Sequence, residues 1–389
     1  MRILLLTTSY PLSLQDGTAP VIRSIATSLM GLGHEVHVLA PERTGAPQQT
    51  SEGGVTVDWV RYAPHRALRV IGHAQSLQDD VAVKGAAYAA LPLYLAATLA
   101  HARTLCKTWQ PDVIHAHWAI PGGVLGALIA RFAHAQRVPL VISLHGSDMY
   151  LALKSPLYGR VARWAFDRAT AISACSKNLF DAAIKIGAPL NKTRVVLHGV
   201  DTERFSPAPA QDDKTQVVLA VGRLVAKKGF DQLIAAAPEI FARCPAAEIW
   251  IGGEGDSRAQ LESSRAALPA PVQAKIKFLG QCPWDELPAL LRQAAVFALP
   301  SVRDEAGNED GLPNILLEAL ASGLPVVASD LAGIPSVVQD EVTGLLVPPG
   351  DAPGASCGHR APVARCGPAR QARRCRTPLR RGRTELAHG

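Results

Sequence analysis

Two carboxylates flanking a helix start carry the most chemistry in this sequence. Residues 299–329 read LPSVRDEAGNEDGLPNILLEALASGLPVVAS. A strand should end near Pro300, an acidic loop follows, and a helix should begin near Asn314. Asp310 and Glu318 are eight residues apart, one on the loop and the other about a turn into the helix. The unpaired amides of a helix start suit an anion. Gly311, Leu312 and Asn314 can each offer a backbone N–H, whereas Pro313 has none. An anion-binding turn beside two hydroxyl-accepting carboxylates suits a sugar nucleotide. Spacing alone equally allows Asp310 to be a helix cap and Glu318 a residue of the helix face.

A second cluster reads VGRLVAKKGFDQLIAA, over residues 221–236. A strand runs into Gly222, and Arg223 and Lys228 sit on the connection to the next helix. Two cations there can hold a diphosphate through charge-assisted hydrogen bonds and stabilise the charge that grows on it as a leaving group. A solvated pair of charges at a helix start is the alternative, and Lys227 is expected to be the exposed member. IGGEGD, residues 251–256, follows another strand. Its glycines, Gly253 among them, would let a ligand approach the backbone closely or would form a plain tight turn. Gly280 ends the next strand. In the first half, Gly17 precedes the first helix in TTSYPLSLQDGTAPVIRS, residues 7–24. This is not the GxGxxG dinucleotide fingerprint. SLHGSDMY, residues 143–150, supplies His145 and Asp148, and IHAHW, residues 114–118, supplies His115 and His117. Of these last two, His117 is expected near the site and His115 on the opposite side of its strand.

Apolar strands alternating with helical stretches must position these groups, a pattern that implies an α/β fold with parallel sheets. Strands are expected over 2–7, 35–40, 55–60, 113–117, 140–144, 169–174 and 193–198, and again over 216–221, 247–252, 275–279, 295–299 and 325–328. Helices are expected over 21–30, 122–135, 230–241, 284–293 and 316–322. The segment 199–213 (GVDTERFSPAPAQDD) has linker composition. Two sheet domains, 1–198 and 214–350, should therefore face each other across a cleft, with ligands beyond the carboxyl ends of their strands.

These motifs together resemble the family-4 (group 1) retaining glycosyltransferases. Asp310-x7-Glu318 is similar to the family's E-x7-E signature, ALASGLPVVAS follows it as in the family, and G-R-x5-K-G resembles the donor-phosphate motif. The resemblance spans roughly residues 1–350. It implies the GT-B fold, two Rossmann-like domains facing a cleft. It also implies transfer of a sugar with retention from a nucleotide-diphosphate donor to a saccharide or lipid-linked acceptor, in surface polysaccharide or glycolipid synthesis. By resemblance, Asp310 contacts the donor sugar, Glu318 the ribose, and Arg223 and Lys228 the diphosphate in place of a metal. Gly17 approaches the diphosphate from across the cleft, Gly253 and Gly280 lie beside the nucleotide, His145 faces the reacting sugar, and Asp148 steers its loop or approaches the acceptor. Asp310 is one methylene shorter than the family's glutamate, and a loop shift would bring Glu309 or Glu305 to the same place. No cofactor is implied beyond the donor substrate. A nucleotide-sugar epimerase or hydrolase, or a catalytically impaired sugar-nucleotide-binding homologue, would use the same scaffold. Sugar release independent of acceptor would mark the first, and binding without turnover the second.

Composition narrows the classes further. Of 389 residues 48% are hydrophobic and 19% charged, which is globular. The net charge of +7 sits in residues 351–389, which carry nine Arg against Asp351 and Glu385; the preceding residues balance. A nucleic-acid-binding body is therefore not supported. Cys106, Cys175, Cys244 and Cys282 lack metal-type spacing and read as free thiols. The opening MRILLLTTSYP is too short an apolar run for a secretory signal and reads as a buried strand. A cytoplasmic protein is expected, with peripheral contact at the inner membrane. Residues 85–100 are uncharged, yet too short to span a bilayer. They read as a packing helix or a membrane-surface helix. The tail, with Cys357, Cys366 and Cys375, has no amphipathic period where a helix should follow PPGD. Out-of-frame translation of GC-rich DNA and a basic disordered tail both fit.

Overall fold

A computed structural model of the chain describes residues 1–350 other than 14–15, 44, 66–67, 74–76, 79–81, 84, 134–137, 208–215 and 306. The readings of the tail, of the end of the linker and of the end of the 122–135 helix fall outside these residues. The first half builds a sheet from β1 (Arg2–Leu6), β2 (Glu35–Pro41), β3 (Gln49–Glu52) and β4 (Val55–Val60). A small ribbon of β5 (Leu77–Gln78) and β6 (Ala82–Val83) intervenes. The sheet then gains β7 (Val113–His117), β8 (Leu140–Leu144), β9 (Ala171–Ala174) and β10 (Thr193–Val195). The order is β10-β9-β8-β7-β1-β2-β4-β3, and only β3 runs antiparallel to its neighbour. The second half builds a wholly parallel sheet from β11 (Val217–Val221), β12 (Glu248–Gly252), β13 (Ile276–Gly280), β14 (Val296–Leu299), β15 (Val326–Ser329) and β16 (Gly344–Val347). Its order is β13-β12-β11-β14-β15-β16.

Both sheets are covered by helices on their two faces, so their strands are continuous apolar runs such as RILLL and VVLAV. The first half carries α1 (Pro20–Gly31), α2 (Gly85–Thr108), α3 (Val124–Ile129), α4 (Ser147–Lys154), α5 (Pro156–Arg168) and α6 (Lys177–Ile186). The second carries α7 (Phe230–Arg243), α8 (Arg258–Ala266), α9 (Ala270–Gln273), α10 (Leu287–Gln293) and α11 (Asn314–Ala321). The uncharged stretch after Gly85 is part of α2. It buries Ala87, Ala90, Tyr94, Thr98, Ala102 and Cys106, one stripe at helical spacing, against the first core. Pro92 lies on its outer face, where the backbone bond it forfeits can be replaced by water. Among the described residues no helix is long and apolar enough to cross a membrane. The predicted strand over 193–198 is shorter than expected, because the chain leaves the sheet after Val195 and carries His198 toward the second half.

The strand orders place the site. In the first sheet the chain winds outward from β1 to β4 and then restarts beside β1 with β7. In the second it winds from β11 to β13 and restarts beside β11 with β14. At each reversal neighbouring connections diverge and leave a crevice beyond the carboxyl ends. The segments there are 7–19 and 118–123 in one half, and 222–229 and 300–313 in the other. Every segment holding a predicted donor-site residue, apart from those after β8, β12 and β13 and the helix of Glu318, lies at one of these two reversals.

Candidate active site

A cavity of about 700 Å³ separates the two sets of strand ends. From the first half it is lined by Thr8, Ser9, Gly17, Trp118 and Asp148, and by apolar side chains of α2. From the second it is lined by Gly222, Arg223, Gly253, Glu254, Gln281 and Cys282. Gly17 has nothing within 4 Å of where a Cβ would stand, so its backbone is open to a ligand. Gly253 is fixed for a different reason. Its φ is +132°, and a Cβ would stand 1.9 Å from the Gly222 carbonyl oxygen. Its N–H donates to Gly280 O at 2.7 Å, which aligns the three loops after β11, β12 and β13. Gly280 itself has φ +72°, with Glu254 Oε1 3.4 Å from the position of a Cβ.

Behind this wall sits an ion-pair network. The 3₁₀ turn Ala226–Lys228 tucks both lysines beneath the end of β14, where Lys227 O accepts the Val302 N–H at 2.9 Å. Lys228 Nζ donates to Asp310 Oδ2 at 2.7 Å, Lys227 Nζ lies 3.6 Å from Asp310 Oδ1, and Ser301 Oγ donates to Oδ2 at 3.3 Å. All four side chains are buried. The expected exposure of Lys227 is thus incorrect; the second carboxylate oxygen draws it inward. Burial pushes the Asp310 carboxyl upward, but the charges of Lys228 and Lys227 outweigh it and hold it below the ordinary carboxylate range. Burial likewise lowers the Lys228 ammonium, and Asp310 offsets only part of that. Glu309 is paired with Arg303 and does not stand in for Asp310.

Glu318 is in a different place. It lines a recess of about 20 Å³ with Asn314, Trp284 and the start of α1. Trp284 Nε1 donates to its Oε1 at 3.1 Å, and the Arg204 guanidinium stacks 3.8 Å from the Trp284 ring centroid. Burial pushes the Glu318 carboxyl up to about 7, against the pull of Trp284 and Arg204. Gly311 and Leu312 face the first half. A Cβ on Gly311 would stand 2.8 Å from His145 O, and the Leu312 side chain joins the first-half core.

The histidines are also arranged otherwise than expected. His145 does not line the cavity; Trp118, which does, packs beside it with ring centroids 4.9 Å apart. Both His145 ring nitrogens are engaged, by His117 at 2.9 Å and by His198 at 3.1 Å. His115 does not point to the opposite side of its strand. Residues two apart in a strand share a face, and the His115 and His117 rings lie 4.4 Å apart. His115 Nε2 meets Ser143 Oγ at 2.8 Å. Asp148 accepts the Ala119 N–H at 2.5 Å, and burial pushes its carboxyl up to about 6 although several backbone N–H groups oppose this.

Comparison with known proteins bears directly on this arrangement. A model described as Glycosyltransferase Family 4 matches residues 15–204, and one described as Glycosyl transferases group 1 matches residues 215–357. The chain belongs to the family-4, group 1 glycosyltransferases. As a member it is a glycosyltransferase that uses a nucleotide-sugar donor. It is similar to a putative colanic acid biosynthesis glycosyltransferase of Escherichia coli, 28% identical over 84% of this chain and 82% of the relative. It is also similar to the GDP-mannose-dependent alpha-(1-6)-phosphatidylinositol monomannoside mannosyltransferase of Mycolicibacterium smegmatis, 35% identical over 59% of this chain and 61% of the relative. Anabaena HepE, solved in complex with UDP and glucose, has the same GT-B fold, with TM-score 0.67 and 22% identity over 96% of this chain and 95% of that one.

For this glycosyltransferase the geometry divides the predicted residues into groups. Gly17, Asp148, Arg223 and Gly253 meet at one cavity, with Gly280 just behind it. Asn314 and Glu318 share the neighbouring recess. Asp310, Lys228 and Leu312 are buried and Gly311 is half-buried against the first half, and His145 lies beside Trp118, off the cavity lining. Sequence reasoning passed over Trp284, His198, Trp118, Gln281 and Cys282. Trp284 and His198 sat in segments read only as a helix start and a strand end. Their pairing with Glu318 and His145 has no short-range signal.

Proposed function

We propose that this glycosyltransferase works with retention and transfers its sugar to a saccharide or lipid-linked acceptor in surface polysaccharide or glycolipid synthesis. The observation that carries the donor side is Arg223 on the cavity wall beside Gly222 and Gly253, opposite Gly17. A guanidinium among close-approach backbone suits a diphosphate, which it can grip through two parallel hydrogen bonds. Lys228 supplies a second positive centre beneath Gly222, its Cε 3.4 Å from where a Gly222 Cβ would stand. Glu318, steadied by Trp284, suits the paired hydroxyls of a ribose once ionised.

Retention follows if the acceptor oxygen attacks the anomeric carbon from the face that the phosphate leaves. The anomeric C–O bond breaks, its electrons pass to the diphosphate, and a phosphate oxygen takes the acceptor proton. Products are the glycoside and the nucleoside diphosphate. Arg223 and Lys228 stabilise the charge on the departing group, and no side chain serves as nucleophile. The acceptor side of the cavity is walled by Ala87, Tyr88, Leu91 and Tyr158, apolar or aromatic groups that suit a lipid chain or a sugar face. The two relatives, one named for colanic acid and one for a phosphatidylinositol mannoside, support both acceptor classes.

The test is a panel of nucleotide sugars, UDP-glucose and GDP-mannose among them, assayed for binding and then for turnover with polyprenyl-phosphate-linked and free saccharides. Retained anomeric configuration in the product is expected. An inverted product, or activity abolished by a chelator and restored by Mg²⁺, would overturn the mechanism.

A further inference from the structure

Four side chains form an unbroken hydrogen-bonded line from the first half to the second. His117 Nδ1 meets His145 Nε2 at 2.9 Å, His145 Nδ1 meets His198 Nε2 at 3.1 Å, and His198 Nδ1 meets Asn314 Oδ1 at 2.7 Å. His117 ends β7, His145 follows β8, His198 follows β10, and Asn314 opens α11. The rings step along the line with centroids 5.1 and 5.2 Å apart. Burial holds His117, His145 and His198 below the ordinary imidazole range, so all three are neutral at pH 7.

A neutral imidazole has one N–H and one bare nitrogen, so the line has a direction. Asn314 presents its amide oxygen, so His198 carries its proton on Nδ1 and donates it there. His198 Nε2 is then bare and accepts from His145 Nδ1–H. His145 Nε2 is bare in turn and accepts from His117 Nδ1–H. The last nitrogen, His117 Nε2, is buried with no hydrogen-bond partner among the described residues. A bare nitrogen tolerates that position better than an N–H, which would demand an acceptor. Both ends of the line therefore favour the same proton order.

We infer that His198 is a positioning residue for His145, through which the first residue of the donor-side helix fixes which nitrogen of His145 carries the proton. Only the family resemblance makes His145 a donor-site residue, since it stands beside Trp118 and off the cavity lining; the proton order itself does not depend on that role. The consequence is that His145 has a defined lone pair on Nε2 only while α11 sits against the first half. Without Asn314 in place the line has no terminal acceptor and can reverse.

Nitrogen-15 spectra of the full chain labelled at histidine test this without any substrate, so the outcome is separate from that of the transfer assay. Signals of His145 are assigned by their disappearance in His145→Gln. The wild-type ring should show a protonated Nδ1 and a bare Nε2. His198→Phe, which keeps a ring and removes the acceptor, should give a tautomer mixture at His145. His198→Gln, whose amide oxygen can accept from His145 Nδ1–H, should retain the wild-type pattern. A protonated Nε2 in the wild type, an unchanged pattern in His198→Phe, or a lost pattern in His198→Gln would each overturn the inference. Should His198→Phe fail to fold, the test still stands on the other two, since a protonated Nε2 in the wild type or a lost pattern in His198→Gln each overturns the inference.

Discussion

Lys228 Nζ lies 2.7 Å from Asp310 Oδ2, so the carboxylate of the D-x7-E signature is neutralised by the lysine of the G-R-x5-K-G motif. The two motifs, 82 residues apart in sequence, form one buried ion pair. In the reading proposed above, a donor must reorganise this pair: its phosphate competes for Lys228 and its sugar hydroxyls for Asp310.

Breaking the pair from one side should be costly. Lys228→Met leaves the buried Asp310 with the Ser301 hydroxyl and the more distant charge of Lys227, and should lower stability by about 3 kcal/mol. Lys228→Met combined with Asp310→Leu replaces that ionic pair by an apolar one but also takes the carboxylate from buried Lys227, so it should recover only part of the loss, and still show no turnover. Urea unfolding of the three proteins checks it. A loss under about 1 kcal/mol in the single variant would mean that the pair is not buried as described.

Glu318 gives a pH signature. Its carboxyl titrates at about 7, above the ordinary range, so it is protonated below that pH and ionised above. If the ionised form accepts ribose hydroxyls, affinity for UDP-glucose or GDP-mannose, whichever binds, should weaken up to tenfold per unit as pH falls below 7. Stability runs the other way. A carboxyl raised on folding favours the folded state below its unfolded pKa and loses that contribution as pH rises through about 7. Glu318→Gln should flatten both profiles. Asp148 titrates near 6 on the other side of the cavity, so Asp148→Asn is the control that must leave the ribose-dependent step at 7 in place.

Arg223 is exposed on the cavity wall, and its removal should leave the fold intact. Arg223→Ala should reduce donor turnover about a hundredfold, about 3 kcal/mol of transition-state stabilisation. Steady-state kinetics beside a melting curve separates the two effects. Turnover within twofold of the parent would remove Arg223 from the mechanism.

Gly253→Ala probes the shape of the loops. The added methyl meets Gly222 O, and alanine is strained at φ +132°. The strain alone should cost about 1–3 kcal/mol, and displacement of Gly222 should raise the donor KM. A variant with wild-type melting and KM would show that the β11 and β12 loops do not pack as described.

His198 was legible only as part of a strand expected to reach residue 198. Its role comes from leaving that strand early, and its partner Asn314 is 116 residues away. Trp284 and Glu318 are 34 residues apart and meet because the segment before α10 packs on the same core as α11. Lys227 and Lys228 are indistinguishable by type, and reading one as exposed was wrong because a tight turn buries both against one carboxylate. His115 was misplaced for a simpler reason: the two-residue period of a strand puts it on the same face as His117.

Apolar runs alternating with helical stretches were enough to set the parallel sheets, because burial on both faces leaves its mark in every few residues. Glycines and charges just beyond those runs located the ligand-binding ends of the strands, since the requirements there are local. The sequence by itself therefore determined the fold class and the segments that meet at the cleft. Only the tertiary structure decided which side chains touch across it: Lys228 with Asp310, Trp284 with Glu318, and three imidazoles in line. Such contacts depend on strand order and on how the two halves face one another, and a few tenths of an ångström decide whether a hydrogen bond forms.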